Sequence, residues 1–385
     1  MQNFVIGTSD PTAWDSGTTY LVGRLATNGG TIYICTVEHT NQEPPNASYW
    51  TACDGRYSSI TDLEDNENTT SDALIAHVMD EEFTDCITCD MTGANALVYK
   101  PEQWINGDGE IAGGADHLGL WENGGAFLSG SSGSSYTLNS NRDNVTFTGF
   151  RMNNAVTNLS AIFSNGWQTG NIYTRNIIQA IASSTTYGIY TAAFSGHYVH
   201  ANMVSGFVNQ LRLLSPGPFA SDTCHAAHNT CIGGSGGIVL ESNATAAVKF
   251  VGNIAVDAAT TDIGGATPDV YDRNVSTDDT AASFNATAWD WDTGITGDDI
   301  FNNADTGDLR LASDFESYMT NFPDPPTWGA PDVTSFPSWD INGKLWSRYI
   351  PGCDDFILDA TPPGPGPGGS IIPQVAYYLK MMRNR

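Results

Sequence analysis

The chain has 385 residues and a formal net charge of −28, from 15 Lys and Arg against 43 Asp and Glu. Only 15% of its residues are charged and 40% are hydrophobic, which is too much apolar material for an acidic disordered segment. A surface this acidic repels phosphate, so nucleic acid is not an expected partner. No apolar run approaches the roughly 18–20 residues that cross a bilayer, so membrane insertion is not expected either.

The opening residues, MQNFVIGTSDPTAW, show neither a basic n-region nor an apolar h-region, and no secretory signal is expected from them. The seven cysteines (Cys35, Cys53, Cys86, Cys89, Cys224, Cys231 and Cys353) are odd in number and scattered, unlike a disulfide framework. Cys86 and Cys89 form a C-x-x-C pair with no helix signal after it and no second pair at zinc-ribbon spacing. In a strand, residues three apart face opposite sides, so the pair reads as structural.

Residues 1–55 read as a small β module, with short alternating strands separated by Gly, Asn and Pro turns. Its aromatics Trp14, Tyr20, Tyr33 and Trp50 are the candidate carbohydrate-binding residues, because a flat ring suits the C–H face of a pyranose. The same four would also serve as the mini-core of a module this small. Tyr20 and Tyr33 fit that second role better, and Trp14 and Trp50 fit either. Residues 56–83 form a connecting and capping segment, with a short helix expected near Thr61–Glu67 behind Ser59 or Thr61 as N-cap.

Residues 84–360 contain an internal repeat. Asn176, Asn202, Asn229, Asn253 and Asn274 recur at steps of 26, 27, 24 and 21, and Phe150 occupies the same slot 26 residues before Asn176. Three residues before each of the first four asparagines stand Tyr173, Val199, Ala226 and Phe250. Two residues after them stand Ile178, Val204, Cys231 and Ala255. Both apolar columns are expected to point inward, and the asparagines to form a ladder at a bend where left-handed backbone is tolerated. Steps of this length without a helical period fit one coil of a parallel β-helix, and about ten coils are expected.

Residues 361–385 begin with a Pro/Gly linker, TPPGPGPGG, that cannot enter a sheet. Beyond it Val375, Tyr378, Leu379 and Met382 share one face of a helical pattern, and Lys380, Arg383 and Arg385 add positive charge. An amphipathic basic tail on an acidic chain is expected to be a docking segment for partner proteins.

These patterns carry two resemblances. The spacing of Trp14, Tyr20, Tyr33 and Trp50 resembles the chitin-binding-type carbohydrate-binding module, which is appended to chitinases and to phage tail proteins. The Asn-centred repeat resembles right-handed, single-stranded parallel β-helix proteins of the pectate-lyase-like architecture. Their closing order is matched by Ile300-Phe-Asn-Asn303, Gly307-Asp-Leu-Arg-Leu311 and Asp340-Ile-Asn-Gly343, although Asp314-Phe-Glu-Ser317 departs from it. Among such proteins, tailed-phage virion proteins share the opening seen here as Arg56-Tyr-Ser-Ser-Ile-Thr-Asp-Leu-Glu64.

The resemblance implies an all-β virion component, a tail spike, fibre or capsid decoration, assembled in a host cytoplasm. It further implies homo-oligomers, other virion proteins as partners and a host-surface glycan as ligand. Its enzymatic alternative is a β-helix polysaccharide lyase or glycoside hydrolase. For that chemistry His200, His225, His228 and Asp222, or Asp116, His117 and Glu122, are the nearest groupings, but none forms a catalytic motif. No catalytic residue, resident metal or cofactor is therefore assigned. Asp290-Trp-Asp-Thr-Gly294 is similar to a calcium loop without its closing Glu, and at most weak surface Ca²⁺ is expected there.

Overall fold

The computed structural model describes residues 1–84, 86–115, 117, 125–130, 135–154, 159–164, 168–180, 186–192, 196–214, 224–241, 248–265, 270–272, 274–278, 280, 289–290, 300–303 and 308–311. These residues build a parallel β-solenoid with three sheets along its length. The first sheet has ten strands in the order Gly55–Tyr57, Gln2–Ile6, Leu74–Val78, Leu97–Pro101, Val145–Thr148, Ile172–Thr174, Tyr198–His200, Cys224–Ala227, Val248–Val251 and Val270–Asp272. The second has nine, from Glu82–Phe83 and Phe127–Ser129 to Val275–Ser276 and Trp289–Asp290. The third has seven: Ile87–Cys89, Tyr136–Ser140, Ser160–Ser164, Tyr187–Thr191, Asn209–Leu214, Gly236–Glu241 and Thr261–Gly265.

Each coil visits the three sheets in turn, and register places like residues above one another. On the first sheet Phe147, Tyr173, Val199, Ala226 and Phe250 form one inward column. Met152, Ile178, Val204, Cys231 and Ala255 form a second, and Leu138, Ile162, Ile189, Leu211, Ile238 and Ile263 a third. Every one of these side chains is at most 1% exposed. At about 1.5–3 kcal/mol per buried Val, Leu, Ile or Phe, these columns dominate the stabilisation.

Among the described residues the solenoid makes about six turns, against the ten coils that the repeat arithmetic gave. One reason is that residues 102–115 add no coil. Gln103–Ile105 and Ile111–Gly114 instead form an antiparallel hairpin that leaves the solenoid between Leu97–Pro101 of the first sheet and Phe127–Ser129 of the second.

The start of the solenoid also differs from the expected boundaries of 1–55, 56–83 and 84 onward. Gln2–Ile6 pairs in parallel with Gly55–Tyr57 on one side and Leu74–Val78 on the other. The small antiparallel module, with Leu25–Asn28, Thr31–Cys35 and Trp50–Ala52 as its main sheet, is therefore an insertion after the first strand. The physical reason is that Phe4, Val5 and Ile6 are 3% exposed or less, so this strand needs cover on both faces and partners on both edges.

The helix runs over Ile60–Asn66, with Ser59 as N-cap accepting from the Asp62 amide at 3.0 Å. It closes the end of the solenoid through Glu64, whose carboxylate accepts from the Met91 amide at 2.7 Å and from the Tyr99 hydroxyl. Arg142 ties the adjoining turns together by donating to the carbonyls of Met91, Gly93 and Asn95 and to the Thr69 hydroxyl. The expected linker and docking tail, with Val375, Tyr378, Leu379, Lys380, Met382, Arg383 and Arg385, lie outside the described residues.

Candidate functional site

The asparagine column is a buried ladder. Asn176, Asn202, Asn229, Asn253 and Asn274 are all 0% exposed. Each amide nitrogen of Asn176, Asn202, Asn229 and Asn253 donates to the side-chain oxygen of the next asparagine at 2.8–3.0 Å. The same Nδ2 atoms reach back to the carbonyls of Phe147, Tyr173, Val199 and Ala226 on the preceding coil. Phe150 has no amide to offer, yet its backbone N–H donates to Asn176 Oδ1 and so starts the ladder.

The left-handed residue, expected at the asparagine itself, is one position earlier. Arg175, Ala201, His228 and Gly252 have φ of 56°, 49°, 56° and 65°. The turn occurs there because the asparagine must enter the coil interior, where its amide can meet the next rung.

In the inserted module, Tyr20 and Trp50 are 2% and 3% exposed and pack edge-on at 5.0 Å, together with Ala26 and Cys35. The Trp50 indole donates to the Gln42 carbonyl at 2.7 Å, and the Tyr20 hydroxyl accepts from the Asp15 amide at 2.8 Å. Both rings are thus core, with no face open to a sugar. Trp14 and Tyr33 are half-buried against the same cluster. His39, which the sequence reading passed over, stands among Tyr20, Tyr49 and Trp50 at 4.9–5.7 Å. Burial holds it below the usual imidazole range.

The module is clamped to the solenoid by the hairpin of residues 103–114. Glu102 Oε1 accepts from the Leu25 amide at 2.8 Å and the Trp104 indole at 3.0 Å. The Arg24 guanidinium lies 4.2 Å from the Trp104 ring and 5.1 Å from Tyr20.

The histidine groupings are buried. His200, His225 and His228 are 2%, 3% and 1% exposed, and His225 stacks on Tyr198 at 4.8 Å. Burial, with His225 and His228 nearby, holds His200 well below the usual imidazole range. His117 Nε2 lies 2.6 Å from the Arg175 carbonyl, a structural contact. Asp116, Glu122 and Asp222 lie outside the described residues, as does most of the Asp290–Gly294 loop. Among the described residues, no three His, Cys, Asp or Glu side chains are arranged to hold a metal ion.

The feature with binding chemistry is on the outer face of the third sheet. Tyr136 stacks on Phe163 at 4.2 Å with an interplanar angle of 9°. Phe163 meets Tyr190 at 5.3 Å, and Tyr190 meets Tyr187 at 5.0 Å. Arg212 caps the row, 4.8 Å from the Tyr187 ring and 5.2 Å from Tyr190, and pairs with Glu241 at 2.6 Å. Phe163, Tyr190 and Arg212 share one outward column, and Tyr136 and Tyr187 the neighbouring one.

Tyr136, Tyr187, Tyr190 and Arg212 are half-buried, so this stripe shows partly open rings and an ion pair to solvent. Beside it stands Leu159, 49% exposed, whose carbonyl accepts from the Tyr187 amide. Among the described residues the other exposed large hydrophobics are Met1 and Val37 alone. Sequence reasoning missed the stripe, although Phe163 and Tyr190 are 27 residues apart, one coil step.

Comparison of the chain with family models, with curated proteins and with solved structures finds no match.

Proposed function

We propose that the chain is a structural and adhesive component of a phage virion, a tail spike, fibre or capsid decoration, whose third-sheet stripe is a glycan- or receptor-binding surface. The observation that carries the adhesive part is the Tyr136–Phe163–Tyr190–Tyr187–Arg212–Glu241 row, which repeats with the coils and lies on a rigid element. A solenoid with closed, stacked cores holds such a row in fixed register, which favours binding by reducing the entropy lost on contact. The virion setting is supported by the sequence resemblance and by the basic tail expected at residues 375–385.

The test is a cell-binding assay with Tyr187→Ala/Tyr190→Ala beside the unaltered chain. Loss of host-cell binding with an unchanged circular dichroism spectrum is expected. Full retention would remove the stripe from the adhesive role. Deleting residues 361–385 and scoring incorporation into particles tests the docking segment, and unchanged incorporation would overturn it.

A second reading, a β-helix lyase or hydrolase, rests on the sequence resemblance alone, since Lys100, which burial pushes down to about 8, is too enclosed for a polysaccharide to reach. That lysine stands in register with His77, and both side chains are 6% exposed or less. New reducing ends or unsaturated uronates released from host polysaccharide would establish that reading.

A further inference from the structure

We infer that the Asn106–Gly107 turn is a self-modification site, where the chain deamidates through a succinimide ring. The other Asn–Gly pair among the described residues, Asn28–Gly29, resists the same reaction.

The hairpin turn brings the reacting groups together. Main-chain bonds from Gly109 N–H to the Asn106 carbonyl and from Asn106 N–H to the Glu110 carbonyl close it. Asn106 Oδ1 accepts from the Asp108 and Glu110 amides, each at 3.0 Å. A side-chain oxygen that reaches the amide two residues on folds back over the peptide between them, so Cγ lies beside the Gly107 nitrogen. The two N–H donors polarise the Cγ–Oδ1 bond and hold the negative charge that develops on Oδ1 during attack, as an oxyanion hole does. Gly107 is exposed, and its N–H donates to no group among the described residues. A Cβ there would meet only Glu38 Oε2, at 3.6 Å, so the ring has room to close.

The reaction balances with water as its one co-reactant. The Gly107 nitrogen gives its proton to solvent and bonds to Asn106 Cγ, and the Cγ–Nδ2 bond breaks to release ammonia. Water then opens the succinimide at either carbonyl, leaving aspartate or isoaspartate.

Asn28 is held differently. Its Nδ2 donates to the Pro44 carbonyl at 2.7 Å and to Glu43 Oε1 at 3.3 Å, which anchors the leaving group. Among the described residues no N–H reaches its Oδ1, and pairing with Thr31 keeps its backbone in the ladder of Leu25–Asn28.

The modified turn belongs to the hairpin that clamps the inserted module. The Trp104 indole bonds Glu102 and lies under Arg24, and the Ile105 amide bonds the Val22 carbonyl. Isoaspartate adds a methylene to the main chain one residue beyond Ile105, so ageing is expected to loosen the clamp and leave the asparagine ladder intact.

Incubating the full-length chain in mildly alkaline buffer and mapping its peptides by mass spectrometry tests this, because each conversion adds about 1 Da. In the native chain Asn106 is expected to convert at least about tenfold faster than Asn28, and in urea the gap should close. Gly107→Ala, for which the turn has room, is expected to slow conversion at Asn106 roughly tenfold with an unchanged circular dichroism spectrum. If that variant misfolds, the comparison of the two pairs in the unaltered chain still decides. Equal native rates overturn the inference, as does a gap that persists in urea, since local sequence alone would then set it. An unchanged rate in folded Gly107→Ala also overturns it, because attack by that nitrogen would not be the route.

Discussion

Asn202 shows how much of this fold depends on single side chains. Its Nδ2 donates to the Tyr173 carbonyl and to Asn229 Oδ1, and its Oδ1 accepts from the Asn176 amide N–H and Nδ2. Asn202→Ala leaves several of these groups buried and unpaired, at about 1–3 kcal/mol each, so a loss of about 3 kcal/mol or more is expected. A urea titration following the far-ultraviolet signal reads it directly. The ladder was legible because one residue type, whose amide both donates and accepts, recurs at coil-length steps. The left-handed residue before it was not, because Arg175, Ala201, His228 and Gly252 share a backbone conformation and no chemistry. The stripe escaped for a related reason. Its members alternate between two columns, and loops of unequal length blur their period.

At the scale of elements, the inserted module is fixed to the hairpin by a close backbone approach. Gly23 has φ of +91°, and a Cβ there would lie 2.1 Å from the Gln103 carbonyl oxygen. Its N–H donates to the Cys35 carbonyl at 2.8 Å, and the neighbouring Val22 carbonyl accepts from Ile105 at 2.8 Å. Gly23→Ala is therefore expected to loosen the module from the solenoid without opening the ladder. Hydrogen exchange checks this. Amides of residues 20–35 should lose protection, while those of Asn202 and Asn229 keep theirs. Faster exchange throughout would mean instead that module and solenoid unfold as one unit. The module's strands were visible in the sequence as alternation and turns. Its place inside the solenoid was not, because no local pattern announces that residues 2–6 pair with residues 55–57 and 74–78.

For the whole molecule, the distribution of histidine sets the response to acid. All seven are 8% exposed or less. Burial holds His39 below, and His77 and His200 well below, the usual range. An unfolded histidine takes up its proton near 6.5, whereas these do so only at lower pH. Their contribution to stability is thus complete above about pH 6.5 and is lost progressively as pH falls below it. Glu64, Glu102 and Asp262, held above the carboxylate range by burial, work in the opposite direction as pH falls. The denaturation midpoint is expected to drop between about pH 7.5 and about pH 5.5, and His77→Gln/His200→Gln should reduce that drop. An undiminished drop in the double variant would assign the acid response elsewhere.

The position of Gln2–Ile6 between Gly55–Tyr57 and Leu74–Val78 has a consequence for synthesis. Gln2–Ile6 has no partner until Gly55–Tyr57 has been made, and its second edge stays open until Leu74–Val78 follows. Folding from the amino terminus therefore cannot proceed rung by rung, and the loop that joins these strands must close before the stack begins. From Leu74 onward each new coil lands on a finished one, so assembly becomes vectorial. The strands at the Gly55–Tyr57 end are stacked out of chain order, so lengthening the rod by duplicating coils is open only downstream of Leu74.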